Sequence, residues 1–92
     1  MDTRIEPFLI IASAMLQRRI KAPEFETVFL ALFRGPAGEI RGDAGDAVSR
    51  LFSAVDSYCA DPELRDDHDL DEQSLRLEVA RFIERVKEIY GL

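Results

Sequence analysis

Residues 71–90 read DEQSLRLEVARFIERVKEIY, and this stretch decides the fold. Leu75, Val79, Phe82, Val86 and Ile89 recur at alternating steps of four and three, and Ile83 and Tyr90 widen the stripe. That spacing gathers the apolar side chains on one face of an α-helix and leaves the charges on the other. A seam of this kind suits near-antiparallel packing against further helices. Asp71 precedes the first turn, where a carboxylate accepts hydrogen bonds from N–H groups that have no partner within the helix. The pattern predicts a helix of 19 residues from Glu72 to Tyr90, about 28 Å long at 1.5 Å per residue.

Three earlier stretches share the helical period, and none alternates with period two. The first carries Ile5, Phe8, Leu9, Ala12, Met15, Leu16 and Ile20, with Pro7 tolerated in a first turn that has no internal bond to lose. After a break at Lys21-Ala22, Pro23 opens a second helix with the stripe Phe25, Val28, Phe29, Leu32 and Phe33. Glu24 and Glu26 suit its positive N-terminal end. Gly35 and Pro36 end it, and the segment from Gly35 to Gly45, holding four of the five glycines, reads as a loop. A third helix resumes around Asp46, carries Ala47, Val48, Leu51, Phe52, Val55, Tyr58 and Cys59 on one face, and closes at Pro62. Four amphipathic helices with short breaks predict an all-α, antiparallel four-helix bundle, a single domain over residues 1–92.

Bulk composition narrows the function. An apolar fraction of 47% fits a globular domain, while a net charge of −6 and a pI near 4.7 argue against direct nucleic-acid binding. The same charge argues against docking on anionic membranes. A lone Cys59 allows no internal disulfide. The start, Met1-Asp2-Thr3-Arg4, lacks the cationic opening of a signal peptide, and the apolar run from Phe8 to Leu16 is too short to span a bilayer. The expectation is a cytoplasmic protein without membrane partners.

The charge is unevenly distributed. Between Asp56 and Glu72 stand eight carboxylates (Asp56, Asp61, Glu63, Asp66, Asp67, Asp69, Asp71 and Glu72) against one fixed cation, Arg65. This segment therefore holds a net seven negative charges, more than the whole chain; residues 1–50 balance at seven acids and seven bases. Crowded like charges repel and cost stability, so a use for them is the stronger reading, and a basic surface is the natural partner. The bland alternative is a solvated loop with two helix ends.

Other constellations are weaker. Asp67, Asp69, Asp71 and Glu78 fall at positions one, three, five and twelve of a calcium loop, which makes a small acidic calcium-binding helical protein the alternative function. Glu72 occupies the position that needs Gly, and Ser74 one that is usually apolar. His68 stands alone in a charged loop, Cys59 reads as a buried thiol, and one Cys with one His cannot build a zinc site. The glycine-rich segment lacks the Gly-Lys-Ser/Thr ending of a phosphate loop. Nothing converges on catalysis, so the expectation is a non-enzyme without cofactor or metal. A scaffold meeting its partner through apolar surface near Leu30 or Leu77 is a third possibility.

Four stretches carry a family resemblance. Leu51-Phe52-Ser53-Ala54-Val55-Asp56-Ser57-Tyr58-Cys59-Ala60-Asp61 resembles a segment of the colicin D immunity protein family, with its Leu-Phe pair, Ala, acid, aromatic and Asp in that order. Leu70-Asp71-Glu72 and Leu75-Arg76-Leu77-Glu78-Val79 are similar to the family's acidic turn and Leu-x-x-Glu-Val helix. Ile20-Lys21-Ala22-Pro23-Glu24-Phe25 is similar to the start of its second helix. The resemblance runs from about Leu16 to Leu92 and is weakest between Gly35 and Gly45.

It implies a four-helix protein that neutralises a ribonuclease toxin domain, a tRNase in the best-known members, by placing an acidic face in the tRNA-binding groove. Asp56, Asp61 and Glu63 match acidic positions of the family's contact region, and Asp71 and Glu72 match its second acidic pair. The chain departs at Cys59, where the family can show a further acid. The expected partner is thus a basic toxin nuclease domain, C-terminal in a bacteriocin or contact-dependent toxin, bound 1:1 by a chain that is monomeric when free. Its surface comprises Asp56, Tyr58, Asp61, Glu63, Asp66, Asp67, Asp69, Asp71 and Glu72, with Tyr58 as an aromatic anchor if its ring reaches the rim.

Overall fold

A computed structural model of the chain describes residues 3–35, 39–59, 61–66 and 69–92. A 3-10 turn, Thr3–Ile5, leads into four helices: α1 Glu6–Leu16, α2 Ala22–Arg34, α3 Gly42–Ser57 and α4 Glu72–Tyr90. Each packs on its neighbours in the chain, and α4 returns to α1 and closes the ring. This is the antiparallel four-helix bundle that the apolar periods predict, 41 Å along its long axis.

The core is wholly apolar. Phe8 and Met15 from α1, Phe25 and Phe29 from α2, Val48, Leu51 and Val55 from α3, and Leu75, Val79, Phe82 and Val86 from α4 are buried. No polar or charged side chain is buried among the described residues. Each such side chain contributes roughly 1.5–3 kcal/mol by leaving water. Rings run along α2 and across to α3: Phe8 meets Phe29 edge-on at 5.4 Å, Phe25 and Phe33 stack on either side of Phe29, and Phe33 stacks on Phe52 at 4.4 Å. Val28 and Ile89, assigned to these stripes, lie at their margins and are 41% and 37% exposed.

Element ends depart from the periodic reading, each for a local reason. Helix α1 stops at Leu16, so Ile20 lies outside it, half-buried. Arg18 turns into the left-handed region (φ 62°), and the N–H groups of Arg18 and Arg19 donate back to the carbonyls of Met15 and Ala14 at 3.1 and 2.9 Å. This is the two-bond helix stop that glycine usually makes. Arg76 of α4 completes it: Nη1 donates to the Met15 carbonyl at 2.8 Å and Nη2 to that of Leu16 at 3.0 Å. A cation at a helix C-terminus also opposes its partial negative charge.

Helix α2 begins one residue before Pro23, at Ala22. Helix α3 begins at Gly42, not near Asp46, so Gly42–Gly45 is helical and not loop. Gly45 is required there because a Cβ would overlap the backbone carbonyl of Ile40, whose side chain is buried against the core. Glycine inside a helix costs about 1 kcal/mol relative to alanine, and here the close approach explains it. At its other end α3 stops at Ser57, so Tyr58 and Cys59 are extended and not helical, and Pro62 lies beyond the stop.

Candidate functional site

The acidic connection between α3 and α4 is built from its own backbone. At its base Tyr58 and Leu70 form a parallel bridge: Leu70 N–H donates to the Ser57 carbonyl at 2.7 Å and Cys59 N–H to the Leu70 carbonyl at 3.0 Å. The two strands of the loop are thereby closed where they leave the bundle. Above the bridge, Asp61 organises a turn. Its Oδ1 accepts from Glu63 N–H at 2.9 Å, and its carbonyl accepts from the N–H groups of Leu64 and Arg65 at 3.1 Å. Aspartate in this role is a local substitute for a backbone turn.

Arg65, the one fixed cation of the segment, points inward. Nε and Nη2 both donate to the Cys59 carbonyl, at 3.1 and 3.0 Å. The guanidinium thus ties the turn to the loop base. Farther on, Asp66 and Asp69 bond each other's backbone: Asp66 N–H donates to Asp69 Oδ2 and Asp69 N–H to the Asp66 carbonyl, both at 3.2 Å. Asp71 caps α4 as its position predicts, accepting from Ser74 N–H at 2.8 Å. The hydrogen bonds from Ser74 hold the Asp71 carboxyl below its usual 3.8, with Arg65 adding a smaller pull in the same direction.

The carboxylates therefore divide. Asp56, on the last turn of α3, and Glu63, Asp66 and Glu72 are exposed. Asp61 is exposed as well, yet its carboxylate also fixes the turn, while Asp69 and Asp71 are half-buried and bonded to the backbone. The sequence expects all of them to face a partner; three of them also support the loop. Asp67 and His68 lie outside the described residues.

Tyr58 is half-buried against the core. Burial raises its phenol from the usual 10.0, and the charges of Glu72 and Glu26 raise it further against the opposing pull of Arg65. Glu26, on the second turn of α2, is thereby drawn into the same neighbourhood. Neither its helix nor its spacing marks it as part of the acidic segment, which is why the sequence reading leaves it out. The bond from Arg76 to the end of α1 brings the α1–α2 corner to this end as well, with Arg18, Arg19 and Lys21 exposed. Among the described residues, the end of the bundle sets the carboxylates of the α3–α4 connection beside a short basic corner.

Two earlier expectations change. Cys59 is not a buried thiol on α3; it is half-buried in the loop, with Sγ donating weakly to the Asp61 carbonyl at 3.5 Å. The calcium-loop reading from Asp67 to Glu78 does not hold. Residues from Glu72 onward are helix, Asp71 is engaged as its cap, and Glu78 pairs with Arg81 at 2.7 Å. A twelve-residue loop wrapping one ion cannot include the first two turns of a straight helix. Of the apolar surface considered for a scaffold, Leu30 is half-buried and Leu77 is exposed on α4.

Among the described residues no helix is long and apolar enough to cross a membrane. Comparison with known families places residues 4–86 in the bacterial self-protective colicin-like immunity family, and the chain belongs to it. Comparisons with curated proteins and with solved structures give no match. The chain is therefore an immunity protein, of a class whose partner is a cognate toxin.

Proposed function

We propose that this immunity protein neutralises a ribonuclease toxin domain, a tRNase, by seating its acidic end in the cationic groove that otherwise holds RNA. The observation that carries the reading is the pinned α3–α4 connection. Its backbone is fixed by the Tyr58–Leu70 bridge, the Asp61 turn and the inward Arg65, while Asp56, Glu63, Asp66 and Glu72 stay exposed. Arg65 still offsets one unit of that negative charge, but its guanidinium is spent on the Cys59 carbonyl, where it holds the turn that carries the exposed carboxylates.

The contact surface comprises Asp56, Tyr58, Asp61, Glu63, Asp66, Asp67, Asp69, Asp71 and Glu72. Charge-assisted bonds from the toxin's Lys and Arg side chains are the stronger sort, and Arg grips a carboxylate with two at once. Tyr58 contributes as a half-buried edge at the base of the lobe. The tRNase assignment is supported by the resemblance of residues 51–61 and 70–79 to the colicin D branch of such proteins. The complex is 1:1, forms in the cytoplasm with a toxin C-terminal domain, and calls for no catalysis or cofactor from this chain. The domain acting here spans residues 1–92.

Reversing Asp61 and Glu63 together to Lys tests the reading. Growth of cells expressing the toxin domain should no longer be protected, while far-ultraviolet circular dichroism keeps the helical signal. Full protection by the doubly reversed protein would move the interface elsewhere on the molecule.

A further inference from the structure

Leu64 is 75% exposed, the most of any large apolar side chain described. Ile10, Val28, Leu77 and Ile89 are also exposed, but on helix faces, and Leu92, 74% exposed, follows the end of α4 away from the carboxylates of the loop. Leu64 instead sits on the Asp61 turn, between Glu63 and Arg65, with Asp66 just beyond. Its own N–H donates to the Asp61 carbonyl at 3.1 Å, and the next residue is drawn inward by two bonds from its guanidinium to the Cys59 carbonyl. The turn therefore projects a leucine outward, among carboxylates, from a backbone already held in place. A preorganised loop loses little freedom on binding.

A surface that met only lysines and arginines would gain nothing from an exposed leucine. A groove built for single-stranded RNA has two kinds of contact, cations for the phosphates and an apolar or aromatic platform for an unstacked base. We infer that Leu64 takes the place of that base. On this inference, which rests on the reading that the acidic end enters the toxin's RNA groove, Asp61, Glu63 and Asp66 stand where phosphates would lie. Leu64 covers the apolar platform between them and sets the lifetime of the complex, and the charges set the rate of its formation. Interfaces combine in this way when an apolar centre excludes water from a charged rim.

The test uses an inactivated toxin domain, chosen as one whose lethality in active form this chain relieves on co-expression. Surface-binding kinetics are measured for the unaltered protein, Leu64→Ala, Leu64→Met and the charge variant Asp61→Asn/Glu63→Gln. Leu64→Ala should dissociate about 10- to 100-fold faster, the loss expected from exposing a leucine side chain. Its association rate and the salt dependence of that rate should be unchanged, and Leu64→Met should restore slow dissociation. The charge variant should instead associate more slowly and with weaker salt dependence. Leu64→Ala dissociating within about twofold of the unaltered protein, while the charge variant is impaired, would overturn the anchor and leave the acidic docking face standing. If neither variant is impaired, the docking face itself is misplaced and the anchor falls with it. Leu64 is solvent-facing and asparagine at 61 keeps the side-chain oxygen that accepts from Glu63 N–H, so equal thermal melts for all four proteins are the folding control.

Discussion

The two long connections of this bundle solve opposite problems. Between α2 and α3, the chain is anchored by apolar contact: Ile40 is buried, and its carbonyl lies so close to α3 that only Gly45 fits beneath it. Between α3 and α4 almost nothing apolar holds the loop beyond Tyr58 and Leu70 at its base. There the backbone is fixed by N–H groups that donate to the Asp61 and Asp69 carboxylates and by the Arg65 guanidinium donating to a carbonyl, and charges remain on the outside. The first connection uses its residues to make the fold. The second takes support from the fold and leaves its surface for a partner.

That contrast breaks most sharply at Gly45. Gly45→Val should destabilise by about 3 kcal/mol or more, since the clash is with backbone and cannot be relieved by a rotamer change. Urea unfolding would measure it, and an unchanged midpoint would mean that the Ile40 approach is not a real constraint. Arg76→Gln comes next, at about 2 kcal/mol, because two charge-assisted bonds to the end of α1 are lost and the Leu16 carbonyl loses a donor, while that of Met15 keeps the Arg18 N–H. Toxin binding should be little affected beyond what the loss of stability explains.

Arg65→Gln should show the reverse balance. Stability falls by about 1 kcal/mol, while the complex weakens more than tenfold as the acidic turn loses its tie to Cys59; isothermal titration beside a thermal melt separates the two. The loss of negative-field cancellation works the other way, so association should not slow. Asp71→Ala is a smaller stability effect with a pH signature. The native carboxyl lies below its usual 3.8, so its contribution is present at neutral pH and disappears as pH falls through that lowered value. The gap in melting temperature between Asp71→Ala and the unaltered protein should be widest above about pH 5 and close in strong acid. The smallest effect has the opposite sign: Arg18→Gly should stabilise by about 0.5 kcal/mol, because φ 62° suits glycine better than arginine.

Most of the fold was legible because burial imposes a period. The stripes of α1, α3 and α4, and the Asp71 cap, follow from local spacing and chemistry alone. What escaped was set by contacts that only the folded chain shows. The glycines at 42 and 45 read as loop, yet both lie in α3, and position 45 is glycine because the Ile40 carbonyl lies against it. Arg76 looks like an ordinary exposed charge until α1 is seen to end beneath it. At the candidate site, the acidic run was plain from composition. The inward turn of Arg65, set by how the loop folds back on Cys59, and the influence of Glu26 on Tyr58, set by where α2 meets the loop base, were not. Leu64 did leave a signal, a lone large apolar residue inside a polar loop, whose meaning depended on its exposure.

The central claim is that the acidic lobe docks on a cationic groove, and the association rate with the toxin domain tests it most directly. Stopped-flow binding from about 0.01 M to about 0.15 M salt shrinks the screening length from about 30 Å to about 8 Å. The rate should fall steeply across that range, as electrostatically steered association does. A rate that stays level while the complex still forms would contradict docking through the acidic end.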